Sequence, residues 1–419
     1  MTDAALGSGV RARARAVLTH PVTLWSAFVL VHLGLGLVCL THPSLPMGDV
    51  TIVYEFWMRR GIEDGLWVGV DTAWVYPLLA LVPMVLSAAF GWSFYASTWL
   101  ALALAVDAVA FAVLLHRGRP YRATASAAWW WIAFLVAVGP IALGRIDTFA
   151  TSVAVVGVLV IVGRPALGAA LLTVAAWIKV WPAALVAAVV IALRSRMVVV
   201  ASAAITTGVV FIAGVLLGGG ASLLSFVTQQ TDRGLQIESP LALAAMWTAW
   251  AHAGTSIYYD HDILTYQLRG PGTELAASLS TPLLVVAVLA IVVLGVVGVR
   301  RGVAAARMLP LLLLAFTIAL ITFNKVGSPQ FAIWLAAPVL FGLVTARLDG
   351  GPSFRVPAAL GIVIAGLTQV VYPYWYGRLL GLDTVILAAL SVRNVLYLAL
   401  FAWALAALLA EIRSESRLT

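Results

Sequence analysis

The sequence contains a single cysteine and very few charged residues, and each shortage excludes a class of protein. Cys39 stands alone among 419 residues, so a disulfide, an iron–sulfur cluster or a thiolate metal site within one chain is excluded. Charged residues make up 10% of the chain and apolar residues 63%, whereas a typical soluble domain is about 25% charged. Apolar stretches recur from Val22 to Leu409. The chain is therefore an integral membrane protein without a separate soluble domain.

The sequence also lacks the motifs of several enzyme classes. No P-loop, no Ser/His/Asp ordering and no zinc-protease motif appears, so nucleotide hydrolysis and proteolysis have no support. The net charge of +8 does not indicate nucleic-acid binding, because the positive residues fall in short loops, where they set membrane topology. The first apolar run, 21–40, lacks a cleavage site of small residues, and we interpret it as an uncleaved first span.

The distribution of lysine and arginine predicts the topology of the chain. Cytoplasmic loops carry an excess of these residues. If every basic cluster is cytoplasmic, each segment between two clusters contains an even number of crossings. The clusters are Arg11 to Arg15, Arg117 to Arg122, Arg164, Arg194 to Arg196, Arg300 to Arg307, Arg347 to Arg355 and Arg413 to Arg417.

Twelve spans satisfy this condition and place both termini in the cytoplasm. We predict them at 21–41, 94–115, 125–142, 148–163, 166–178, 181–193, 197–217, 281–299, 308–323, 330–346, 356–372 and 394–411. The apolar run 76–89 then stays on the outer side as an interfacial or re-entrant helix, because a crossing there would move the basic loop 116–122 outside. The predicted fold class is an all-α polytopic bundle of about 12 transmembrane helices, one domain over 1–419.

The extracytoplasmic side is far richer in polar residues than the cytoplasmic side. It holds the long segments 42–93 and 218–280, the turns 144–147, 177–182 and 324–330, and nearly all acidic residues. The cytoplasmic loops are short and connective. We therefore expect the functional site on the extracytoplasmic side.

Asp49 is the candidate catalytic residue. It follows Pro43, Pro46 and Gly48, which hold it in a loop, and the next residues, VTIVYEFWMRR, have the apolar spacing of a surface-lying helix. A carboxylate at this place could take a proton from an acceptor hydroxyl as that oxygen attacks a sugar carbon. The alternative is that Asp49 only caps the helix that starts at Val50.

Charged residues also occupy two outer turns. Arg145 and Asp147 belong to GRID (144–147), and Lys179 lies in WIKVWP (177–182). Charge so close to hydrocarbon is costly, which favours a role in the site. The alternatives are a local ion pair and helix cap for Arg145 and Asp147, and a lysine that snorkels among tryptophans for Lys179.

The segment NKVGSPQ (324–330) interrupts an apolar run with polar and helix-breaking residues. Gly327 and Pro329 predict a tight reversal between two spans. Lys325 and Gln330 supply groups that could bind a phosphate or sugar hydroxyls. The alternative is a hairpin that only reverses the chain. Such a hairpin needs the helix-breaking residues but not the lysine.

Two further outer stretches carry polar residues. The sequence TDRGLQIESP contains Asp232, Arg233, Gln236 and Glu238, a mixture that suits a polyhydroxylated ligand as well as a solvated loop. The stretch 250–270 is aromatic and acidic, as in surfaces that stack on sugars, and its histidines and aspartates fit no common metal site. We predict a mobile loop there, and no metal.

The candidate residues on the extracytoplasmic side together suit an enzyme that transfers a group from a lipid phosphate. Cations hold the leaving phosphate, a carboxylate activates the hydroxyl, and tryptophans border the lipid. One alternative is a transporter or flippase for a lipid-linked sugar, which predicts charges near mid-span, where only Asp107 and Arg393 are candidates. Another is a non-catalytic partner in an envelope complex.

Six pieces of the sequence together carry a family resemblance. In chain order they are MGDVTIVYEFW (47–57), VYPLLALVP (75–83), GRID (144–147), AAWIKVWPAAL (175–185), RGLQIESP (233–240) and NKVGSPQFAIWL (324–335). The ordered set resembles the polyprenyl-phosphate-mannose-dependent mannosyltransferases of the GT-C superfamily of membrane glycosyltransferases, in particular the actinobacterial α-1,2-mannosyltransferases.

The resemblance implies a GT-C-like bundle with outer juxtamembrane helices, and it implies roles for individual residues. Asp49 matches the position of the family's catalytic aspartate. Lys179 and Lys325 lie in matching turns and become candidates for contact with the donor phosphate. Further candidates for substrate binding are Arg145, Asp147, Arg233, Gln236, Glu238, Gln330 and Tyr76. The candidates for a second acid in the first outer loop, which GT-C enzymes often have, are Glu55, Glu63 and Asp64.

The resulting hypothesis is an inverting mannosyltransferase of the cell envelope. An acceptor hydroxyl, deprotonated by Asp49, attacks the anomeric carbon of β-mannosyl phosphopolyprenol, polyprenyl phosphate leaves, and an α-1,2-mannoside forms. The acceptor is a glycolipid or lipoglycan such as a phosphatidylinositol mannoside. An arabinosyltransferase of the same superfamily is the nearest alternative. We predict no cofactor, no metal and no nucleic-acid partner.

Overall fold

The structure is a computed structural model that describes residues 16–117, 123–229 and 233–415. Predictions that rest on the basic cluster 11–15, on most of the cluster 117–122, on Arg417 and on Asp232 therefore lie outside the described residues.

Helices form nearly all of the regular structure. The α-helices are α1 (Pro21–Thr41), α2 (Glu55–Asp64), α3 (Leu81–Ser87), α4 (Tyr95–Arg117), α5 (Ala125–Val138), α6 (Asp147–Val160), α7 (Pro165–Ile178), α8 (Ala183–Ala192), α9 (Arg196–Leu216), α10 (Ser225–Thr228), α11 (Leu243–Trp250), α12 (Thr273–Arg300), α13 (Ala305–Thr322), α14 (Ala336–Leu348), α15 (Arg355–Gln369), α16 (Tyr376–Leu380) and α17 (Thr384–Glu415). The strands are β1 (Ser256–Asp260) and β2 (Thr265–Arg269).

Short 3-10 or π-helical segments adjoin several of these helices. They are Asp49–Tyr54 before α2, Leu78–Ala80 before α3, Trp92–Phe94 before α4, Gly139–Ala142 after α5, Ala221–Leu224 before α10, Pro240–Ala242 before α11, Pro329–Leu335 before α14 and Val370–Tyr374 after α15.

The predicted all-α polytopic fold class is confirmed. Among the described residues, nine helical segments are long and apolar enough to cross a membrane, and each overlaps a predicted span. The other three predicted spans are the shorter apolar helices α6, α7 and α8, of 14, 14 and 10 residues. A 14-residue helix is only about 21 Å long. Helix α6 is buried along most of its length, so other helices rather than lipid surround it.

Two spans begin well before their predicted first residues. Helix α12 starts at Thr273 rather than 281, and α17 starts at Thr384 rather than 394. Asp383 explains the second difference, because its Oδ1 accepts hydrogen bonds from the backbone N–H groups of Val385 and Ile386 at 3.0 and 3.2 Å. A carboxylate in this position caps a helix.

The helix predicted after Asp49 is present. It runs through the π-helical Asp49–Tyr54 into α2, and Val50, Tyr54 and Met58 lie on its buried face. The run 76–89 also contains a helix, α3, whose seven residues extend about 10 Å and cannot cross a membrane. These residues share a hydrophobic cluster with α4, centred on Trp99.

Contacts between loops show that successive long helices run in opposite directions through the bundle. The loops after α1, α5, α7, α9, α13 and α15 gather at one end, called the site end below. For example, the backbone N–H of Gln236, after α9, donates to the carbonyl of Lys325, after α13, at 3.0 Å. At the opposite end, Arg117 after α4 lies 3.9 Å from Asp349 after α14.

The stretch 250–270 is not the mobile loop that we predicted from its sequence. It contains a β-hairpin in which Ser256 of β1 faces Arg269 of β2. Tyrosine and β-branched residues in SIYYD and TYQLR favour strands. Asp260 closes the turn, since its Oδ1 accepts hydrogen bonds from two backbone N–H groups at 3.1 and 3.3 Å.

Gly327 allows two loops to pack closely together. It does not form a direct reversal of the chain. After α13 the chain passes through a loop and then the 3-10 segment Pro329–Leu335 before α14 begins. A Cβ atom at Gly327 would overlap the backbone of Glu238 and Ser239. The Ser239 hydroxyl also donates to the Asn324 carbonyl at 2.6 Å. Two loops distant in sequence therefore meet backbone to backbone.

We expect Gly327→Ala to lower the free energy of unfolding by about 1–3 kcal/mol, the usual cost of overpacking. The added methyl group would force the two loops apart. Gly366→Ala in α15 is the matched control, because a methyl group added to Gly366 would have no atom within 4 Å. Thermal unfolding of the purified variants in detergent measures the effect. Equal melting temperatures of the two variants would contradict the close packing at Gly327.

Candidate active site

Asp49 contacts Arg145, a residue of the GRID turn. The Asp49 Oδ2 lies 3.1 Å from the Arg145 Nε. Gly48, without a side chain, occupies the cap position of the helix, so capping is not the role of Asp49. The Asp49 side chain is 39% exposed. The carboxylate is therefore both anchored and open to an incoming molecule.

Arg145 is buried and hydrogen-bonds to several elements. Its Nη1 donates to the carbonyls of Pro46 at 2.8 Å and Gly144 at 2.7 Å, and its Nη2 donates to the Tyr372 hydroxyl at 2.7 Å. Burial alone would lower the pKa of Arg145, but the Asp49 carboxylate and the Tyr372 hydroxyl outweigh it and raise the pKa. Arg145 therefore stays charged and fixes the position of Asp49.

Asp147, from the same turn, faces a different partner. Its side chain is fully buried, its Oδ1 accepts a hydrogen bond from Trp334 Nε1 at 2.7 Å, and its Oδ2 lies 3.4 Å from the Lys179 Nζ. The local pair of Arg145 with Asp147 that the sequence suggested is wrong, because each residue pairs with another loop. Burial alone would lower the pKa of Lys179, but Asp147 and then Tyr76 outweigh it and raise the pKa.

Two tyrosines connect Lys179 to the helix of Asp49. The Lys179 Nζ lies 4.5 Å from the ring centre of Tyr76, a cation–π contact. The Tyr76 and Tyr54 hydroxyls are 3.4 Å apart. Sequence reasoning missed Tyr54, although its spacing along the predicted helix was a usable signal. Together with the chain segments from Arg145 to Asp147 and from Asp49 to Tyr54, these contacts form a closed ring of residues, called the site circuit below: Asp49, Arg145, Asp147, Lys179, Tyr76 and Tyr54.

Arg233 and Gln236 lie in a loop beside the site circuit. Burial lowers the pKa of Arg233, although the nearby Tyr76 and Asp260 counteract it. The Arg233 Nε and the Gln236 Nε2 are buried, and neither hydrogen-bonds to any residue in the described ranges. Buried donors of this kind usually have a partner, so a polar ligand here would gain two.

Lys325 and Gln330 lie in the loop that packs against this segment. The Lys325 side chain is partly buried, and its carbonyl accepts the backbone hydrogen bond from Gln236. Gln330 is 9% exposed, in the 3-10 segment before α14. The structure thus brings the 233–238 and 324–330 segments together.

Glu238 forms a buried ion pair. Its Oε2 accepts a hydrogen bond from Arg393 Nη1 at 2.7 Å, and its carbonyl accepts one from Arg393 Nη2 at 2.8 Å. Burial raises the pKa of Glu238, and Arg393 counteracts this effect. The pair ties the 233–238 loop to α17. Sequence reasoning identified Arg393 only as an intramembrane charge and missed its partner.

Asp107, the other intramembrane charge, belongs to a separate polar cluster. Its Oδ2 lies 3.0 Å from the His32 Nε2, and its Oδ1 accepts a hydrogen bond from the Ser152 hydroxyl. The three side chains are buried among α1, α4 and α6. This cluster shares no residue with the site circuit.

The three candidates for a second acid lie on the outward side of α2. Glu55 and Glu63 both pair with Arg59, at 2.7 and 3.6 Å, and Asp64 is exposed at the end of the helix. The structure brings none of the three into the site circuit. Within the described ranges, no group of three or more His, Cys, Asp and Glu side chains is placed to hold a metal ion.

An apolar groove of about 370 Å³ lies near the Lys179 corner of the site circuit. Side chains of α3, α4, α6 and α7 line it. One lining residue, Ile178, directly precedes Lys179, and another, Leu79, follows Tyr76 by three positions. The lining of the groove is therefore adjacent in the chain to the Lys179 cation.

Comparison with protein families matches residues 74–259 to glycosyltransferase family 87, a family of GT-C-type membrane glycosyltransferases. The match indicates a membrane glycosyltransferase. The matched range of the glycosyltransferase contains Tyr76, the GRID turn, Lys179 and Arg233, whereas Asp49 lies outside it. No curated protein and no solved structure matches the chain. With its apolar helices, the glycosyltransferase is a multi-pass membrane protein, and its class implies a lipid-linked sugar donor.

We expect Lys179→Met to lower the free energy of unfolding by about 3–5 kcal/mol, because Asp147 would keep a buried charge without its cation. The double variant Lys179→Met/Asp147→Asn should recover part of this loss, since it removes both charges. Thermal unfolding in detergent is measured for the two single variants, Lys179→Met and Asp147→Asn, and for the double variant, which completes the double-mutant cycle. A double variant that melts below both single variants would contradict the pairing.

Proposed function

We propose that the glycosyltransferase moves mannose from polyprenyl-phosphate mannose to a hydroxyl of a glycolipid or lipoglycan, such as a phosphatidylinositol mannoside, and forms an α-1,2-mannoside. The site circuit is the observation that carries this proposal. It holds an open carboxylate, Asp49, and a lysine, Lys179, at different corners of one ring of contacts. In a displacement at a sugar phosphate, a base takes the proton of the attacking hydroxyl and a cation stabilises the charge on the leaving phosphate. Asp49 suits the first role and Lys179 the second.

The apolar groove supports a polyprenyl phosphate as the donor carrier. A polyprenyl chain in the groove would place its phosphate at the groove's end, beside Lys179. The Lys179 side chain is 17% exposed, so its ammonium can reach a ligand while it pairs with Asp147. Arg233 and Lys325 would add positive charge, and Gln236 and Gln330 would add amide donors. Cations arranged in this way stabilise the charge that develops on the leaving phosphate.

The reaction is a single displacement. The acceptor hydroxyl oxygen forms a bond to the anomeric carbon of mannose while the bond from that carbon to the phosphate oxygen breaks. The hydroxyl proton passes to the Asp49 carboxylate, and the electron pair of the broken bond leaves with the phosphate. Attack opposite the leaving group inverts the anomeric centre, so a β-linked donor yields an α-mannoside. One base is sufficient for this chemistry.

Arg145, Asp147 and Glu238 act in this proposal as positioning residues. Arg145 holds Asp49, and Asp147 holds Lys179, through the contacts of the site circuit. Glu238 with Arg393 fixes the loop that carries Arg233 and Gln236. Tyr76 supports the Lys179 ammonium through the face of its ring.

The site end is extracytoplasmic in this proposal. Support comes from the loops at the opposite end, which carry basic residues in short connections, as cytoplasmic loops do. These residues are Arg164, Arg194, Arg196, Arg300, Arg301, Arg347 and Arg355. Both termini would then be cytoplasmic.

Asp49→Asn should reduce mannose transfer by about 10²–10⁴-fold, the usual contribution of a general base. The amide keeps the shape of the side chain but cannot accept the proton. The assay follows transfer of labelled mannose from synthetic polyprenyl-phosphate mannose to membrane glycolipids by the purified protein. Product analysis then gives the linkage and the anomeric configuration.

Asp64→Asn is the matched control for this experiment. Asp64 is an exposed aspartate at the other end of the same helix, and its variant should transfer mannose at the wild-type rate. Near-normal transfer by folded Asp49→Asn would overturn the role of Asp49. Transfer of arabinose from polyprenyl-phosphate arabinose, without transfer of mannose, would overturn the proposed donor.

Ala105→Trp should raise the KM for a long-chain polyprenyl donor by about tenfold, a loss of roughly 1.4 kcal/mol of binding. Ala105 lines the apolar groove and is exposed, so the indole would occupy the path without entering the core. The KM for a donor with a short chain should change little. Steady-state transfer kinetics with the two donors measure the difference.

Ala204→Trp provides the control for the groove. Ala204 is exposed on α9 and does not line the groove, so the same substitution there should leave both KM values unchanged. An equal effect of Ala105→Trp on short-chain and long-chain donors would contradict the placement of the polyprenyl chain.

A further inference from the structure

Four tyrosines lead away from the Arg145 side of the site circuit. Tyr372 accepts the hydrogen bond from Arg145, and its ring centre lies 5.0 Å from that of Tyr376. The Tyr376 and Tyr266 ring centres are 5.9 Å apart, and those of Tyr266 and Tyr259 are 4.9 Å apart. This tyrosine row forms a continuous aromatic path from the β-hairpin to the residue that anchors the proposed base.

The hairpin end of the tyrosine row is open. Tyr259 is 38% exposed, whereas Tyr266, Tyr372 and Tyr376 are partly buried. The pKa of Tyr259 is raised by its partial burial, by Tyr266 and by the charge of Asp49.

Two buried amides near the hairpin have polar atoms without partners. Gln236, in its loop, and Gln267, in β2, are each 2% exposed and form an isolated antiparallel backbone bridge. The Gln236 Nε2 and the Gln267 Oε1 hydrogen-bond to no residue in the part of the chain that the structure describes. Gln267 directly follows Tyr266 and faces Tyr258 across the hairpin, so its side chain lies on the face opposite the tyrosine row. The hairpin therefore has an aromatic face, which carries Tyr259 and Tyr266, and a separate polar face.

We infer that the tyrosine row binds the sugar chain of the acceptor. This inference rests on the proposed function and deepens it. In a displacement with inversion, the acceptor hydroxyl arrives opposite the leaving phosphate. If the phosphate lies at Lys179, the acceptor approaches from the side of Asp49, Arg145 and Tyr372, which the tyrosine row extends.

The chemistry of the row fits a saccharide. Sugar rings present apolar C–H faces, which pack on aromatic rings, and hydroxyl groups at their edges, which need donors and acceptors. Four rings in succession cover more than one sugar unit, so the row would favour an oligosaccharide acceptor over a single sugar. The tyrosine hydroxyls can donate to and accept from sugar hydroxyls, whereas the apolar groove that suits a lipid chain lies near a different corner of the site circuit.

A binding experiment without turnover tests the inference. The probes are a manno-oligosaccharide and methyl α-mannoside, and the protein is the full chain carrying Asp49→Asn. Adding Tyr259→Ala should weaken oligosaccharide binding by about three- to tenfold, the range expected for one lost aromatic contact, and should leave methyl α-mannoside binding unchanged. Tyr259→Phe, which keeps the ring, should bind as the parent does. Saturation-transfer NMR with titration measures each affinity.

Tyr258→Ala is the matched control, because neighbouring residues of a strand point to opposite faces and Tyr258 contacts Arg269 instead of the row. Its oligosaccharide affinity should equal that of the parent. Unchanged oligosaccharide affinity in Tyr259→Ala, or an equal loss in Tyr258→Ala, would overturn the inference. Oligosaccharide binding that needs Tyr259, in a wild-type protein that transfers no mannose, would uphold the acceptor site and overturn only the proposed function.

Discussion

The GRID turn places two opposite charges at the edge of an apolar bundle, and the neutralisation of each charge organises the rest of the site. Asp147 begins α6 with a fully buried carboxylate, which Lys179 neutralises from the next turn at the same end. Arg145 is buried as well and forms an ion pair with the Asp49 carboxylate. Because a buried charge without a partner is costly, each pairing holds a separate loop against the turn.

The two pairings also give the site two sides. The apolar groove lies near the Lys179 side, and the tyrosine row begins at Arg145, which anchors Asp49 on the other side. A displacement at a sugar carbon needs such a division, because the leaving phosphate and the attacking hydroxyl lie on opposite faces of that carbon. Arg145 and Asp147 both belong to the GRID turn, so a single turn carries both sides.

The surrounding loops are held by packing at the site end rather than by a separate domain. The close approach at Gly327 joins the 233–240 and 324–330 segments, and the Glu238–Arg393 pair ties the first of them to α17. The β-hairpin packs against this assembly through Leu268. Residues that would contact a substrate thus rest on rigid supports, which preorganisation of a site requires.

The sequence alone determined the membrane class, the approximate positions of the apolar helices and the turns that carry charge, because hydropathy and residue identity are local properties. It also determined which residues were candidates, Asp49 and Lys179 among them. The tertiary structure alone decided the partner of each charge, the hairpin in place of a loop, and the parts played by Tyr54 and Tyr372. The Arg145–Tyr372 hydrogen bond joins residues 227 positions apart, and no local pattern encodes such a contact. Pairings of this kind depend on how the helices pack, which brings loops distant in sequence to one end of the bundle.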